Sequence, residues 1–109
     1  MSDDRLPTAL WVEVHLRRLG NQGIPYYVLN TGAYAAGTVL LKLNGLENGC
    51  ALLIQQRDID GNLGWADALN EETVDEKRAD EYIQRAITRD PDLWVIEIED
   101  RARQNPFEE

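Results

Sequence analysis

"RDPDLWVIEIEDR", residues 89–101, decides how this chain folds. The ring of Pro91 crowds the residue before it, so Asp90 is turned away from helical geometry and a preceding helix ends near Thr88 or Arg89. Beyond Asp92 the run is aromatic and β-branched, which suits a pleated strand. Strand side chains alternate between faces. Trp94, Ile96, Ile98 and Asp100 therefore share one face, and Leu93, Val95, Glu97 and Glu99 share the other. Trp94, Ile96 and Ile98 are expected to seal a core against the helices. The second set is expected to form the back of the sheet with its far end in water, as antiparallel sheets commonly wet one face.

Upstream, "NEETVDEKRADEYIQRAITRD" (residues 70–90) reads as an amphipathic helix. Ala79, Tyr82, Ile83, Ala86 and Ile87 fall on one stripe. Thr73 and Glu76 match a capping box, and acids at the start with Arg85 and Arg89 at the end complement the helix dipole. "LPTALWVEVHLRRLG" (6–20) supports a first helix, with Ala9, Val12, Leu16 and Leu19 at helical spacing and a stop at Gly20-Asn21. Leu10, Val12, Val14 and Leu16 also alternate with period two. The length of the run and its Arg-Arg-Leu-Gly ending favour helix.

Between the helices lie "PYYVLNTG", "GTVLLKLN", "CALLIQQRD" and "LGWADAL", apolar runs separated by glycine-bearing turns. Such spacing predicts strands in an antiparallel meander. The order helix, four strands, helix, strand predicts an α+β fold: a two-layer sandwich with a mainly antiparallel sheet of about five strands and both helices on one face. The last strand either inserts beside the meander or adds to its edge. One domain over 1–109 is expected, with an ordered core over 5–101 and a polar tail, 102–109, that frays.

Composition narrows the function classes. Residues 1–55 carry four acids and four bases, whereas residues 56–109 carry sixteen acids and seven bases, so the net charge of −9 lies in the second half. Nucleic-acid affinity comes largely from Lys and Arg displacing counterions, so a nucleic-acid partner is disfavoured, as is an anionic membrane. No apolar run approaches the ~20 residues of a membrane span. "MSDDRLP" lacks a basic n-region and apolar h-region, and the lone Cys50 has no partner for an internal disulfide. Both point to the cytoplasm.

The candidate chemistry is sparse. Glu97 and Glu99 on one strand face, with Asp100 beside them, are carboxylates of the type that hold a divalent cation or share acid–base work. Asp58, Asp60 and Asn62 match the first three ligand positions of a calcium loop, but Gly61 falls at the fourth position rather than the sixth and Leu69 stands where a glutamate is needed. Asp60-Gly61 reads instead as a hairpin turn. The only histidine, His15, lies beside Arg17 and Arg18 on a helix and is expected to be partly exposed. Cys50 reads as a small buried residue, and Trp11, Trp65 and Trp94 read as core. "TGAYAAG" (31–37) matches no phosphate-loop spacing.

"RLPTALWVEVHLRR", "GTVLLKL", the Trp in "GWADAL", and "RDPDLWVIEIEDR" occur in that order from Arg5 to Arg101. In this the chain resembles a family of small bacterial proteins, domain-of-unknown-function family 1491, found mainly in alphaproteobacteria. The resemblance implies a small, soluble, cytoplasmic protein and supplies no activity, cofactor or catalytic residue.

The sequence thus predicts a non-catalytic, acidic protein-interaction or regulatory module without a cofactor, binding an unknown protein partner or a second copy through an unpaired sheet edge. Arg17, Arg18, Glu97, Glu99, Asp100 and Arg101 are the candidate interaction residues. The alternative is a divalent-metal protein or metal-dependent enzyme using Asp58, Asp60, Glu97, Glu99 or Asp100. A third reading is a small-molecule sensor with a pocket lined by Trp65 or Trp94.

Overall fold

The computed structural model describes residues 6–107. Helix α1 (Thr8–Asn21) is followed by strands β1 (Tyr26–Asn30), β2 (Val39–Asn44), β3 (Cys50–Arg57) and β4 (Leu63–Asp67), then helix α2 (Glu76–Arg89) and strand β5 (Trp94–Glu99). A single 3-10 turn (Leu46–Asn48) links β2 to β3. The helix–strand order is the expected one.

α1 ends at Asn21, at the Gly20-Asn21 stop the sequence predicts, and only the N-cap of α2 differs from expectation. Gly23, at φ 74, takes the left-handed conformation. The Ile24 N–H reaches the Leu19 carbonyl and the Gly23 N–H the Gly20 carbonyl, a Schellman closure. α2 is capped by Asp75, whose side chain accepts from the Arg78 N–H at 2.8 Å, rather than by the Thr73–Glu76 box. Thr73 instead accepts from Arg103 and Glu76 reaches Lys42. α2 ends at Arg89, where Pro91 required it.

The five strands form one sheet in the order β1-β5-β2-β3-β4. β2, β3 and β4 make the expected antiparallel meander. β1 does not join it, because β5 inserts between β1 and β2, antiparallel to the first and parallel to the second. The sheet is therefore mixed, with one parallel pair.

The helices lie on opposite faces, not together on one. Val12 and Leu19 of α1 pack with Val39, Leu41, Leu43, Ile96 and Ile98. Ala79, Ile83 and Ala86 of α2 pack with Leu40, Leu52 and Val95. Alternate side chains of the same strands thus feed two cores, and every residue of β2 is buried. A sheet covered on both faces needs strands that are apolar nearly throughout, which is how "VLLKL" and "LWVI" read.

The C-terminal stretch, expected to fray, folds back within the described residues. Phe107 is 3% exposed and stacks on His15 with ring centroids 4.6 Å apart. His15 is accordingly buried, against the expectation of partial exposure, and its Nδ1 lies 2.8 Å from the Trp11 carbonyl oxygen. Cys50, Trp94, Ile96 and Ile98 are buried as expected.

Gly32 and Gly37 have a packing role. A Cβ on Gly32 would fall 2.3 Å from the Asp92 carbonyl oxygen and 2.5 Å from the Trp94 ring. The loop after β1 can therefore close on Trp94, whose indole N–H donates to the Ala33 carbonyl at 2.8 Å.

Candidate functional site

Two features of the sheet stand apart from ordinary core: a charged cluster under α2, and the open edge at β1. Both meet at Glu97.

Lys42 is the one charge in "VLLKLN", and the pleat turns it, with Leu40 and Asn44, toward α2. Its side chain is 3% exposed, and its Nζ donates to Glu76 and Asp80 at 2.8 Å each. Glu97, opposite it in the β2–β5 register, has a carboxylate oxygen 3.5 Å from Nζ. The Asn44 amide donates to Glu97 at 2.8 Å and to Glu76 at 3.3 Å, while its oxygen accepts from the Leu46 N–H. Burial alone pushes the Lys42 ammonium toward the neutral form. Hydrogen bonds to Asp80 and Glu76, with the charges of Glu97 and Asp80, more than offset this and raise its pKa above the ordinary lysine value. The amine is held protonated, so it is a counter-ion rather than a nucleophile. Glu97 is thus not in water, as the sequence suggested, but fixed in a cluster whose centre is occupied by a cation.

Two further candidate carboxylates, Asp58 and Asp100, are committed to turns. Asp58 accepts from the Asp60 and Asn62 N–H groups at 2.9 Å each, and those bonds hold its carboxyl below the usual range. This is the side chain organising a hairpin turn, as the Asp-Gly pair predicted. Asp100 accepts from the Ala102 and Gln104 N–H groups, tying down the turn after β5. Arg101 donates to Glu47 at 2.7 Å, and that contact lowers the Glu47 pKa. Arg17 pairs with Glu13 one turn away on α1, while Arg18 and Asp100 share a small cleft of about 230 Å³. Glu99 is half-buried at the end of β5. The six candidate residues do not converge on a single site. Among the described residues, no group of three His, Cys, Asp or Glu side chains is placed to hold a metal ion.

A larger cleft of about 610 Å³ opens between the start of α1 and the end of β3, lined in part by Trp11, Thr38, Gln55, Arg57, Asp90 and Asp92. Trp65 and Trp94, the tryptophans proposed for a ligand pocket, do not line it.

The open edge is different in kind. Among the described residues β1 pairs only with β5, and its other side meets no strand. Tyr26, Tyr27, Val28 and Leu29 are 36%, 49%, 42% and 41% exposed, four large apolar side chains in succession. The direction of the amides follows from the ladder. Glu99 N–H donates to the Pro25 carbonyl, so Pro25 and Glu99 form a bonded pair, and Tyr27 with Glu97 is the next. Tyr26 and Val28, opposite Ile98 and Ile96, therefore turn their N–H and C=O groups outward. A bulge after Val28 ends the regular ladder before Asn30. Sequence reasoning foresaw an unpaired edge and missed which strand would supply it. One signal was available: from Leu19 to Leu41 no residue is charged, in a chain that is 28% charged.

The sequence matches, over residues 6–108, the family described as "Protein of unknown function (DUF1491)". The chain belongs to the DUF1491 family. A crystal structure of a DUF1491 protein from Caulobacter crescentus CB15 is similar to it at 34% identity, covering 94% of each chain, with a TM-score of 0.81. An NMR structure of a DUF1491 protein from the same organism gives 34% identity over 93% of this chain and 91% of that one, with a TM-score of 0.78. The solution structure of protein Atu0922 from A. tumefaciens shares the fold, with a TM-score of 0.68 at 23% identity over 88% of this chain and 86% of that one. No curated protein matches. The family is described as one of unknown function, so the geometry of the DUF1491 chain is the ground for a functional reading.

Proposed function

We propose that this chain is a non-catalytic protein-interaction module of the cytoplasm that accepts a partner strand along the outer side of β1. The observation that carries this reading is the run Tyr26–Leu29, exposed, apolar and uncharged at an edge whose Tyr26 and Val28 amides face outward. Sheet edges of this kind template strand addition, and proteins usually blunt them with charge, proline or a covering segment. Here Pro25 and the bulge bound the segment without covering it.

The metal-dependent alternative loses its support, because the carboxylate that best fitted it, Glu97, is paired with Lys42 and Asn44.

The test is Val28→Pro. The Val28 N–H points away from β5, so the substitution removes an outward donor and spares the inner ladder. Affinity capture from native cells with the wild-type chain and with the variant, each checked by circular dichroism, should yield bound protein for the first only. Identical recovered sets would refute strand addition at β1.

A further inference from the structure

Resting on that reading, we propose that the strand accepted at β1 is the β1 of a second copy of this chain, antiparallel about a two-fold axis at Tyr27. A symmetric pair must present a self-complementary patch. The segment Tyr26-Tyr27-Val28 is one. With Tyr27 opposite its own copy, Tyr26 of one chain meets Val28 of the other, and the four outward N–H groups meet four outward carbonyls. Tyrosine against tyrosine and tyrosine against valine are favourable cross-strand pairs. Pro25 lacks an N–H and the bulge begins after Val28, so the pairing closes at both ends of these residues. A register shifted to centre on Val28 would need Asn30, beyond the bulge.

Charge favours a copy over a basic partner. The edge lies within the uncharged run from Leu19 to Leu41 and offers a cation no carboxylate. It also lets two chains of net charge −9 meet without opposing like charges at the contact. The nearest acid on the sheet, Glu97, would lie three strand spacings from its copy, about 14 Å, beyond the screening length at physiological salt. The opposite edge, β4, carries Asp67 and adjoins the acidic Asp58–Asn62 turn, and is the poorer surface for self-association.

Three paired residues make a small contact, so the dimer is expected at concentrations on the order of 10 μM to 1 mM, below the strength of standard-sized interfaces. Sedimentation velocity over that range should show the wild-type chain rising from monomer toward dimer, more readily at higher salt, and Val28→Pro remaining monomeric. Under oxidation Tyr27→Cys should cross-link to its copy, because directly opposed residues of a non-bonded pair have a disulfide-compatible Cα separation. Tyr26→Cys should not, and Cys50 is buried out of reach. A wild-type chain that stays monomeric throughout, a dimer that survives Val28→Pro, or equal cross-linking at both tyrosine positions would overturn the proposal. In the first case, capture of a cellular protein that is lost in Val28→Pro would leave strand addition standing with a different occupant. Capture unchanged by the variant would remove both.

Discussion

Lys42 and Glu97 face each other across the parallel β2–β5 pair, with the ammonium 3.5 Å from the carboxylate and the lysine side chain 3% exposed. The contact ties the inserted strand to the centre of the sheet, and through Glu97's register partner Tyr27 it sits directly behind the open edge. The cluster therefore fixes the strand on which β1 depends.

Removing the cation should be costly. Lys42→Met leaves the Glu97 carboxylate facing Asn44 with its cation gone, and such half-broken buried pairs cost about 3–5 kcal/mol. Asp80→Asn should cost under about 1 kcal/mol, since Asp80 is half-exposed and water replaces the contact. Urea denaturation of the two variants should separate these effects, and equal losses would show that the lysine is not the centre of the cluster.

The same cluster sets an alkaline limit. The folded-state pKa of Lys42 is raised above the ordinary 10.5. Its contribution is therefore fully present below that value and is lost as pH rises through the folded-state value. The stability difference between wild type and Lys42→Met should be flat from about pH 7 to pH 10 and shrink above that, with tyrosine ionisation common to both proteins. A difference that grows with alkaline pH would contradict the assignment.

Phe107 closes the α1 face by packing on His15, Trp11 and Trp65. Phe107→Ala should destabilise the fold by about 3 kcal/mol, as large-to-small changes at buried aromatics do. A melting temperature unchanged by the substitution would mean that the tail contributes nothing.

The glycines of "TGAYAAG" separate packing from sequence motif. Gly32→Ala forces a Cβ against backbone at Asp92 and should cost about 1–3 kcal/mol, with a shift in Trp94 fluorescence. Gly20→Ala, where a Cβ meets nothing within 4 Å, is the control and should be neutral or stabilising.

Local signals were legible in the sequence where local chemistry decides the structure. Pro91 set the end of α2, and the β-rich runs set all five strands. The Asp60-Gly61 pair gave the turn, and Trp94, Ile96 and Ile98 gave the core. Long-range arrangement was less legible. The insertion of β5 between β1 and β2 depends on a parallel pairing that no turn residue encodes. The placement of helices on both faces was hinted at by "VLLKL", an unbroken apolar run that a half-wet sheet does not need. Lys42 in that run read as one charge among many because its partners, Glu76, Asp80 and Glu97, are more than thirty residues away. The open edge followed from the same insertion: once β5 separates β1 from the meander, Tyr26–Leu29 is left outside.

Amide hydrogen exchange at Tyr27 and Val28, followed by NMR as a function of protein concentration, tests the central claim most directly. The Tyr27 N–H faces β5 and should exchange slowly at every concentration. The Val28 N–H faces outward and should gain protection as concentration rises into the high-micromolar range, because a second β1 supplies its acceptor. A Val28 amide whose exchange is independent of concentration would contradict the pairing of two copies at this edge.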